Sequence, residues 1–166
     1  IHVLAWAMAN GAEYDESTCA CTARLGTVET LQWLHERGCP WDERTCAGAV
    51  EGNDMEMLKY ARGENCPWDE TACQKAAYAG RLGMLQYIRS QGCPWDEWVP
   101  VLACRTSRTD ILLWAVRNGC PFYPHSCQSQ IAISLAQHHP TREALRALRD
   151  EFATCLERDR MPRSDR

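Results

Sequence analysis

The stretch Gly38-Cys39-Pro40-Trp41-Asp42-Glu43 decides the fold, because it recurs without change at residues 92–97. Near copies begin at Asn65 and Gly119, so the cysteines of the four copies are each 27 residues apart. A fixed period of this length is typical of stacked supersecondary structures, none of which can bury its apolar face alone. The period therefore predicts a solenoid, a class of proteins that mostly provides binding surfaces.

One repeat, residues 66–92, shows how each copy should fold. Asp69 is a predicted N-cap, because its carboxylate can accept hydrogen bonds from the free N–H groups of a first helix. Small apolar residues then follow at helical spacing as far as Gly80. A second apolar stripe, with Met84 and Tyr87 on its flank, consists of Leu82, Leu85 and Ile88. Gly92 follows at the C′ position, and the repeat is predicted to be helix, tight turn, helix and short loop.

The same pattern divides the whole chain and predicts an all-α fold. Residues 1–11 match only the second half of a repeat, and residues 120–139 form a degenerate one. The full repeats between them are 12–38, 39–65, 66–92 and 93–119. Residues 140–157 carry one apolar face and predict a C-terminal capping helix, as a solenoid needs to end its stack. The remaining residues, 158–166, form a charged tail.

The repeats resemble those of the ankyrin family. Thr71-Ala72-Cys73, continued by Ala76-Ala77-Tyr78-Ala79-Gly80-Arg81-Leu82, is similar to the core Thr-Pro-Leu-His-x-Ala-Ala…Gly-His-Leu, and residues 91–96 are similar to the ending Gly-Ala-Asp-Val-Asn. The resemblance extends from about Leu4 to Ser134. The family period is about 33 residues, and the shortfall lies where ankyrin repeats carry a β-hairpin finger. The chain thus resembles a divergent, hairpin-less Cys-Pro-Trp-Asp type. The resemblance implies a protein-interaction scaffold without catalytic activity, whose first helices line the concave side.

Charge and hydropathy narrow the possible partners. The net charge of −4 does not favour nucleic acid or phospholipid, whose binding proteins usually carry a basic stripe. The longest good apolar run, residues 111–116, is far short of the roughly 18 residues that cross a bilayer, so no membrane insertion is expected. The chain begins with Ile1 rather than Met, which predicts a fragment of a longer protein whose organelle the sequence does not reveal.

The eleven cysteines are predicted to be reduced. Neighbouring packed helices lie about 8–10 Å apart, whereas a disulfide needs Cα atoms closer than about 7 Å. Residues at the same position of different repeats form a column. Cysteines of one column, such as Cys39 and Cys66, should therefore not pair. Reduced thiols favour an intracellular, cytoplasmic protein. Bridges within one repeat, such as Cys39 with Cys46, stay open.

Several chemical interpretations compete with a packing role for these residues. The four Cys-Pro dipeptides could ligate haem, but repetition in register favours buried structural residues. Cys19 and Cys21 have no matching Cys-x-x-Cys or His pair for zinc. No Ser-His-Asp or Cys-His-Asn arrangement is legible. We predict no enzyme, no cofactor and no metal, with a thiol-based metal or haem sensor as the alternative function.

Two further columns have two interpretations each. The Asp-Glu pairs that begin at Asp15, Asp42, Asp69 and Asp96 could attract a cationic ligand, but helix capping explains them without a partner. One aromatic residue stands directly before each Asp-Glu pair, and another has the same position in the degenerate repeat. These side chains could line a peptide groove or seal the loop layer between repeats, and we favour the second role. They are Tyr14, Trp41, Trp68, Trp95 and Phe122.

The binding face is predicted from positions that differ between repeats, since positions that stay alike serve stacking. On the first helices the variable residues are Ser17, Arg24, Arg44, Glu51, Thr71, Lys75, Tyr78, Trp98 and Arg105, and Arg81 and Arg108 lie in the turns between helices. Trp, Tyr and Arg are the side chains that most often dominate interface energies. We expect a non-enzymatic scaffold that binds a protein partner through this face, as a subunit of a larger assembly. A purely architectural spacer is the second alternative.

Overall fold

A computed structural model describes residues 1–122, and within these residues all regular structure is helical. The helices are α1 (His2–Ala9), α2 (Glu16–Leu25), α3 (Val28–His35), α4 (Glu43–Gly52), α5 (Met55–Gly63), α6 (Glu70–Ala79), α7 (Leu82–Ser90), α8 (Trp98–Arg105) and α9 (Thr109–Arg117). None of them has the length and apolar character that a bilayer span requires. The predicted capping helix, the charged tail and most of the degenerate repeat lie outside the described residues.

Helix starts follow the spacing of the sequence. The first helices α2, α4 and α6 begin at residues 16, 43 and 70, and the second helices α3, α5, α7 and α9 begin at 28, 55, 82 and 109. Helix α8 begins one residue later than this period predicts, at Trp98. Its N-cap residue Glu97 has helical dihedral angles and forms no side-chain cap. Pro100 is tolerated nearby because the first turn of a helix needs no N–H donor.

Aspartates start the first helices, as predicted. The Asp15 carboxylate accepts from Thr18 N at 3.2 Å, and that of Asp42 accepts from Arg44 N at 3.0 Å. Asp69 accepts from the backbone N of the residue two positions on, also at 3.0 Å. Such caps stabilise a helix by about 1 kcal/mol each, so capping accounts for these carboxylates without a bound ligand.

Each second helix ends in a Schellman motif. Gly38, Asn65, Gly92 and Gly119 have φ between 62° and 84°, the left-handed conformation that favours glycine. The N–H of the cysteine that follows each of them then bonds a carbonyl five residues back, as from Cys93 N to Ile88 O at 3.0 Å. Backbone geometry therefore fixes the start of every Cys-Pro loop in this part of the chain.

The chain divides into two compact units. The first contains Ile1–Ala76 and Gly83–Pro94, and the second contains Ala77–Leu82 and the described residues from Trp95 onwards. In the first unit α2 packs against α3 and α4, and α5 packs against α3 and α4. Its largest fully buried side chains include Leu31, Leu34, Met57, Leu58, Leu85 and Ile88. In the second unit α8 packs against α9 around Val99, Ala103, Ile111 and Ala115.

One detail of the predicted apolar stripe was wrong. Met84, placed on the flank of α7, is 5% exposed and belongs to the core, whereas Leu82 is only half-buried. The equivalent methionine of α5, Met57, is fully buried as well. The flexible thioether chain fills the irregular space between helices, which its position on a helical wheel did not indicate.

Candidate functional site

A groove in the first unit brings together five of the predicted binding residues. Arg24 comes from α2, Arg44 and Glu51 come from α4, and Thr71 and Lys75 come from α6; all except Thr71 are exposed. The groove has a volume of about 300 Å³ and is also lined by Ala20, Cys21, Ala47 and Gly48. Variable positions of three first helices therefore meet in one concave surface.

The floor of the groove is made of very small residues. Ala20 of α2 faces Gly48 of α4 so closely that a Cβ at Gly48 would lie 2.5 Å from the carbonyl oxygen of Ala20. A Cβ at Gly52, one turn further on, would lie 2.5 Å from the carbonyl oxygen of Arg24. Real Cβ atoms do not approach this near, so the two glycines permit the close packing of α2 and α4. Close helix packing through small residues leaves the groove floor without long side chains.

The charges around the groove are partly paired. Arg44 Nε donates to Asp42 Oδ2 at 2.7 Å, and this hydrogen bond raises the pKa of Arg44. Lys75 Nζ lies 3.3 Å from Glu51 Oε1. Arg24 forms no ion pair with another residue of the described chain. The lining thus carries three cations and one carboxylate, in a chain whose net charge is −4.

Four residues of the groove, Ala20, Cys21, Ala47 and Gly48, were not among the predicted binding residues, although a signal for two of them was present. Cys21, Gly48, Lys75 and Leu102 follow one another at intervals of 27 residues, so all four share one column of the repeat. That column is as variable as the columns of Arg44 and Glu51. Variability alone could have added Cys21, the only exposed thiol among the nine cysteines described.

The other predicted binding residues lie in the second unit. Tyr78 and Trp98 are 60% and 51% exposed, and Arg81 and Arg105 are exposed as well. Exposed aromatic and arginine side chains suit a binding surface, but the groove of the first unit does not include them.

Arg108 has a structural contact that the prediction did not foresee. Its guanidinium lies so close to Gly80 that a Cβ there would be 2.5 Å from Nε. Gly80 follows the end of α6 with a φ of 75°. Placing a cation beside the C-terminal end of a helix complements the helix dipole, so this side chain stabilises the turn.

The repeated cysteines connect consecutive repeats. Each loop cysteine directs its thiol at the backbone carbonyl of the capping aspartate 24 residues earlier. The distances from sulfur to oxygen are 3.6 Å for Cys39–Asp15, 3.4 Å for Cys66–Asp42, and 3.2 Å for both Cys93–Asp69 and Cys120–Asp96. A buried carbonyl needs such a donor. The loop cysteine is therefore a hydrogen-bonding residue that joins one repeat to the previous one.

Thiols of the two cysteine columns also meet. Cys19 Sγ lies 3.0 Å from Cys39 Sγ, and the Cys46 thiol reaches the Cys66 carbonyl oxygen at 3.9 Å. None of the nine described cysteines is bridged, including the Cys39–Cys46 pair left open above. Burial raises the pKa of Cys19, and a hydrogen bond with Cys66 together with burial raises the pKa of Cys46. These thiols are therefore protonated donors rather than nucleophiles at neutral pH.

The loop aromatics lie against the second helices. His35 stacks on Trp41 with ring centroids 3.7 Å apart, and Tyr60 meets the same indole edge-on at 6.4 Å. One repeat later, the Arg62 guanidinium lies 4.0 Å above the Trp68 ring. The half-buried indoles thus pack within the loop layer, which was the favoured interpretation.

Comparison with known proteins gives no further assignment, since no family model and no curated protein matches the chain. Within residues 1–122, no group of three or more His, Cys, Asp or Glu side chains is arranged to hold a metal ion. The geometry of the groove is therefore the basis for a functional proposal.

Proposed function

We propose that the chain is a solenoid of hairpin-less, ankyrin-like repeats that binds a protein partner and catalyses no reaction. The observation that carries this proposal is the groove, where variable residues of three successive first helices surround a common floor. The fixed elements of each repeat, meaning the aspartate caps, the Schellman glycines and the thiol contacts, all have structural roles. The variable residues are then left free to determine which partner binds.

The ankyrin-like assignment is supported by the connections between repeats. Residues 36–42 and 64–69, which join a second helix to the next first helix, are short and contain no strand. Ankyrin repeats carry a β-hairpin finger at this point, so its loss shortens the period from about 33 residues to 27. Recognition would then depend on first helices rather than on fingers.

The thiol contacts favour a scaffold over a thiol-based metal or haem sensor. Metal and haem ligation use the thiolate, whereas Cys66 and its equivalents donate their protons to backbone carbonyls. Deprotonation would cost each repeat one of its contacts with the previous repeat. A sensor built on these thiols would loosen the stack when it bound its ligand.

Photo-crosslinking tests the proposal. A photoreactive amino acid replaces Cys21 in the groove wall, and in a matched protein it replaces Gln86, which is exposed on α7. We expect position 21 to crosslink a protein that position 86 does not, and we expect Arg24→Glu together with Lys75→Glu to abolish that crosslink. Identical products from both positions, or products unaffected by the charge reversals, would support the architectural spacer instead.

A further inference from the structure

The groove of the first unit is more cationic than the rest of the chain. Its lining has Arg24, Arg44 and Lys75 against Glu51 alone. Asp42 bonds Arg44 from outside the lining, and Glu16 and Asp15 also act on Arg44. The local excess of positive charge is therefore carried by Arg24 and Lys75 against Glu51. A local excess of positive charge in a chain with a net charge of −4 indicates a negatively charged ligand, because such a groove concentrates the field.

The three cations are placed to bind carboxylates one after another. They stand on the first helices of three successive repeats, α2, α4 and α6, so a chain lying across the groove would meet them in turn. Arg24 has no competing ion pair among the described residues, and its guanidinium can bind a carboxylate with two parallel hydrogen bonds. Lys75 is held by Glu51 at 3.3 Å, and both side chains are more than 40% exposed. Exposed pairs of this kind are weak, so a ligand carboxylate can compete for the ammonium group.

The floor of the groove suits an extended backbone. Ala20, Ala47 and Gly48 offer no side chain longer than a methyl group, and the volume of about 300 Å³ accommodates a few small side chains. A floor of small residues with charged walls fits main chain in the floor and carboxylates at the rim.

We infer that this groove binds an extended, acidic segment of the partner protein, with Asp or Glu carboxylates at Arg24, Arg44 and Lys75. The inference rests on the proposed function and names the chemistry of the partner. Glu51 then sets the strength of binding, because it competes for Lys75 and repels an acidic ligand.

Fluorescence anisotropy at low ionic strength tests the inference with a labelled short peptide of alternating Glu and Ala. Its Gln-and-Ala counterpart is the neutral control. We expect the acidic peptide alone to bind, with Lys75→Gln weakening its affinity about fivefold and Glu51→Gln strengthening it by a similar factor. The chain offers a matched pair outside the groove, Lys59 and Glu56, whose charged atoms lie 2.8 Å apart. Lys59→Gln and Glu56→Gln should leave the affinity unchanged.

The outcomes separate the inference from the proposed function. Three results would overturn the acidic-segment inference. The two peptides could bind with equal affinity, or Lys59→Gln could weaken binding as much as Lys75→Gln does. A single-stranded oligonucleotide could also bind with the same dependence on Lys75. Selection from a random peptide library then distinguishes failure of the inference from failure of the proposed function. Peptides are selected for binding to the protein, and those that also bind the Lys75→Glu variant are removed. Selected peptides rich in Asp and Glu support both; selected neutral or basic peptides overturn the inference and leave the groove as a protein-binding site. A library without groove-dependent peptides contradicts both.

Discussion

Replacing Gly48 with alanine should force α2 and α4 apart. The new Cβ would lie 2.5 Å from the carbonyl oxygen of Ala20, whereas ordinary contact begins at 3.4 Å. The helices must therefore separate by about 0.9 Å at this point, the difference between the two distances. Backbone atoms cannot rotate away as a side chain could, so the shift extends to the buried neighbours of both helices.

The expected change in the free energy of unfolding is opposite in sign to that of a Gly→Ala substitution in an unobstructed helix. Without a clash, Gly→Ala inside a helix stabilises by up to about 1 kcal/mol. Overpacking costs about 1–3 kcal/mol, and a clash with backbone belongs at the upper end of that range. We expect Gly48→Ala to lower the free energy of unfolding by about 2 kcal/mol net, which corresponds to about 4–8 °C in Tm for a chain of this length.

Urea unfolding followed by far-UV circular dichroism measures this change, and Gly83→Ala is the matched control. Gly83 lies in α7, is exposed, and a Cβ there would have no atom within 4 Å. Its replacement should therefore stabilise the protein by about 0.5 kcal/mol. Equal stability of the two variants would refute the close approach of α2 and α4, and with it the origin of the groove floor.

Three further substitutions test other contacts in the first unit. Thr45→Val should stabilise by about 1 kcal/mol in urea unfolding, because Thr45 Oγ1 is buried without a hydrogen-bond partner and Val99 is fully buried at the same repeat position. Asn65→Gly should stabilise by about 0.5 kcal/mol, since Asn65 has a φ of 62° where the other repeats have glycine. Cys19→Ala should weaken the alkaline loss of stability by about 1.4 kcal/mol per pH unit above about pH 9, because burial raises the pKa of the Cys19 thiol.

The sign of the pH effect follows from linkage. The pKa of Cys19 is raised in the folded protein above its ordinary value of 9.0, so above that pH the unfolded chain loses the thiol proton first. Stability conferred by this group is complete below about pH 9 and declines as pH rises. Thr45→Val, which changes no titratable group, should keep the wild-type slope. An unchanged dependence of stability on pH in Cys19→Ala would contradict the burial of that thiol. Lower stability of Thr45→Val or Asn65→Gly than of wild type would contradict the contact concerned.

Local signals in the sequence predicted the helices well. Asp15, Asp42 and Asp69 mark helix starts, and the glycine, or in one repeat the asparagine, before each Cys-Pro marks a helix end. Caps and left-handed turns depend on residues only a few positions apart. Helix α8 begins one residue later, although Asp96 accepts a hydrogen bond from Trp98 N at 3.1 Å, as Asp42 and Asp69 do from the residue two positions on. The sequence here carried the usual aspartate and gave no sign of the shift.

Contacts between helices could not be predicted from the repeat alone. The groove depends on the distance between α2 and α4, which Gly48 and Gly52 set by the absence of a side chain. The approach of Cys19 to Cys39 likewise depends on how one repeat lies on the previous one, although the spacing of 20 residues between these columns is visible in the sequence. Arg108 varied like a binding residue, yet it lies against Gly80, since variability does not distinguish a partner contact from a local one.

Deletion of residues 39–65 tests most directly the claim that each repeat is a 27-residue structure joined to its neighbours by the same contacts. The deletion places Cys66 directly after Gly38, restoring the sequence Gly-Cys-Pro-Trp-Asp-Glu and bringing the Cys66 thiol into register with the Asp15 carbonyl. We predict a protein that unfolds cooperatively and has lost only the helical signal of α4 and α5, whereas deletion of residues 39–68, which also removes the next Cys-Pro-Trp loop, should abolish cooperative unfolding. A disordered chain from the in-register deletion, or equal stability of the two proteins, would contradict the account.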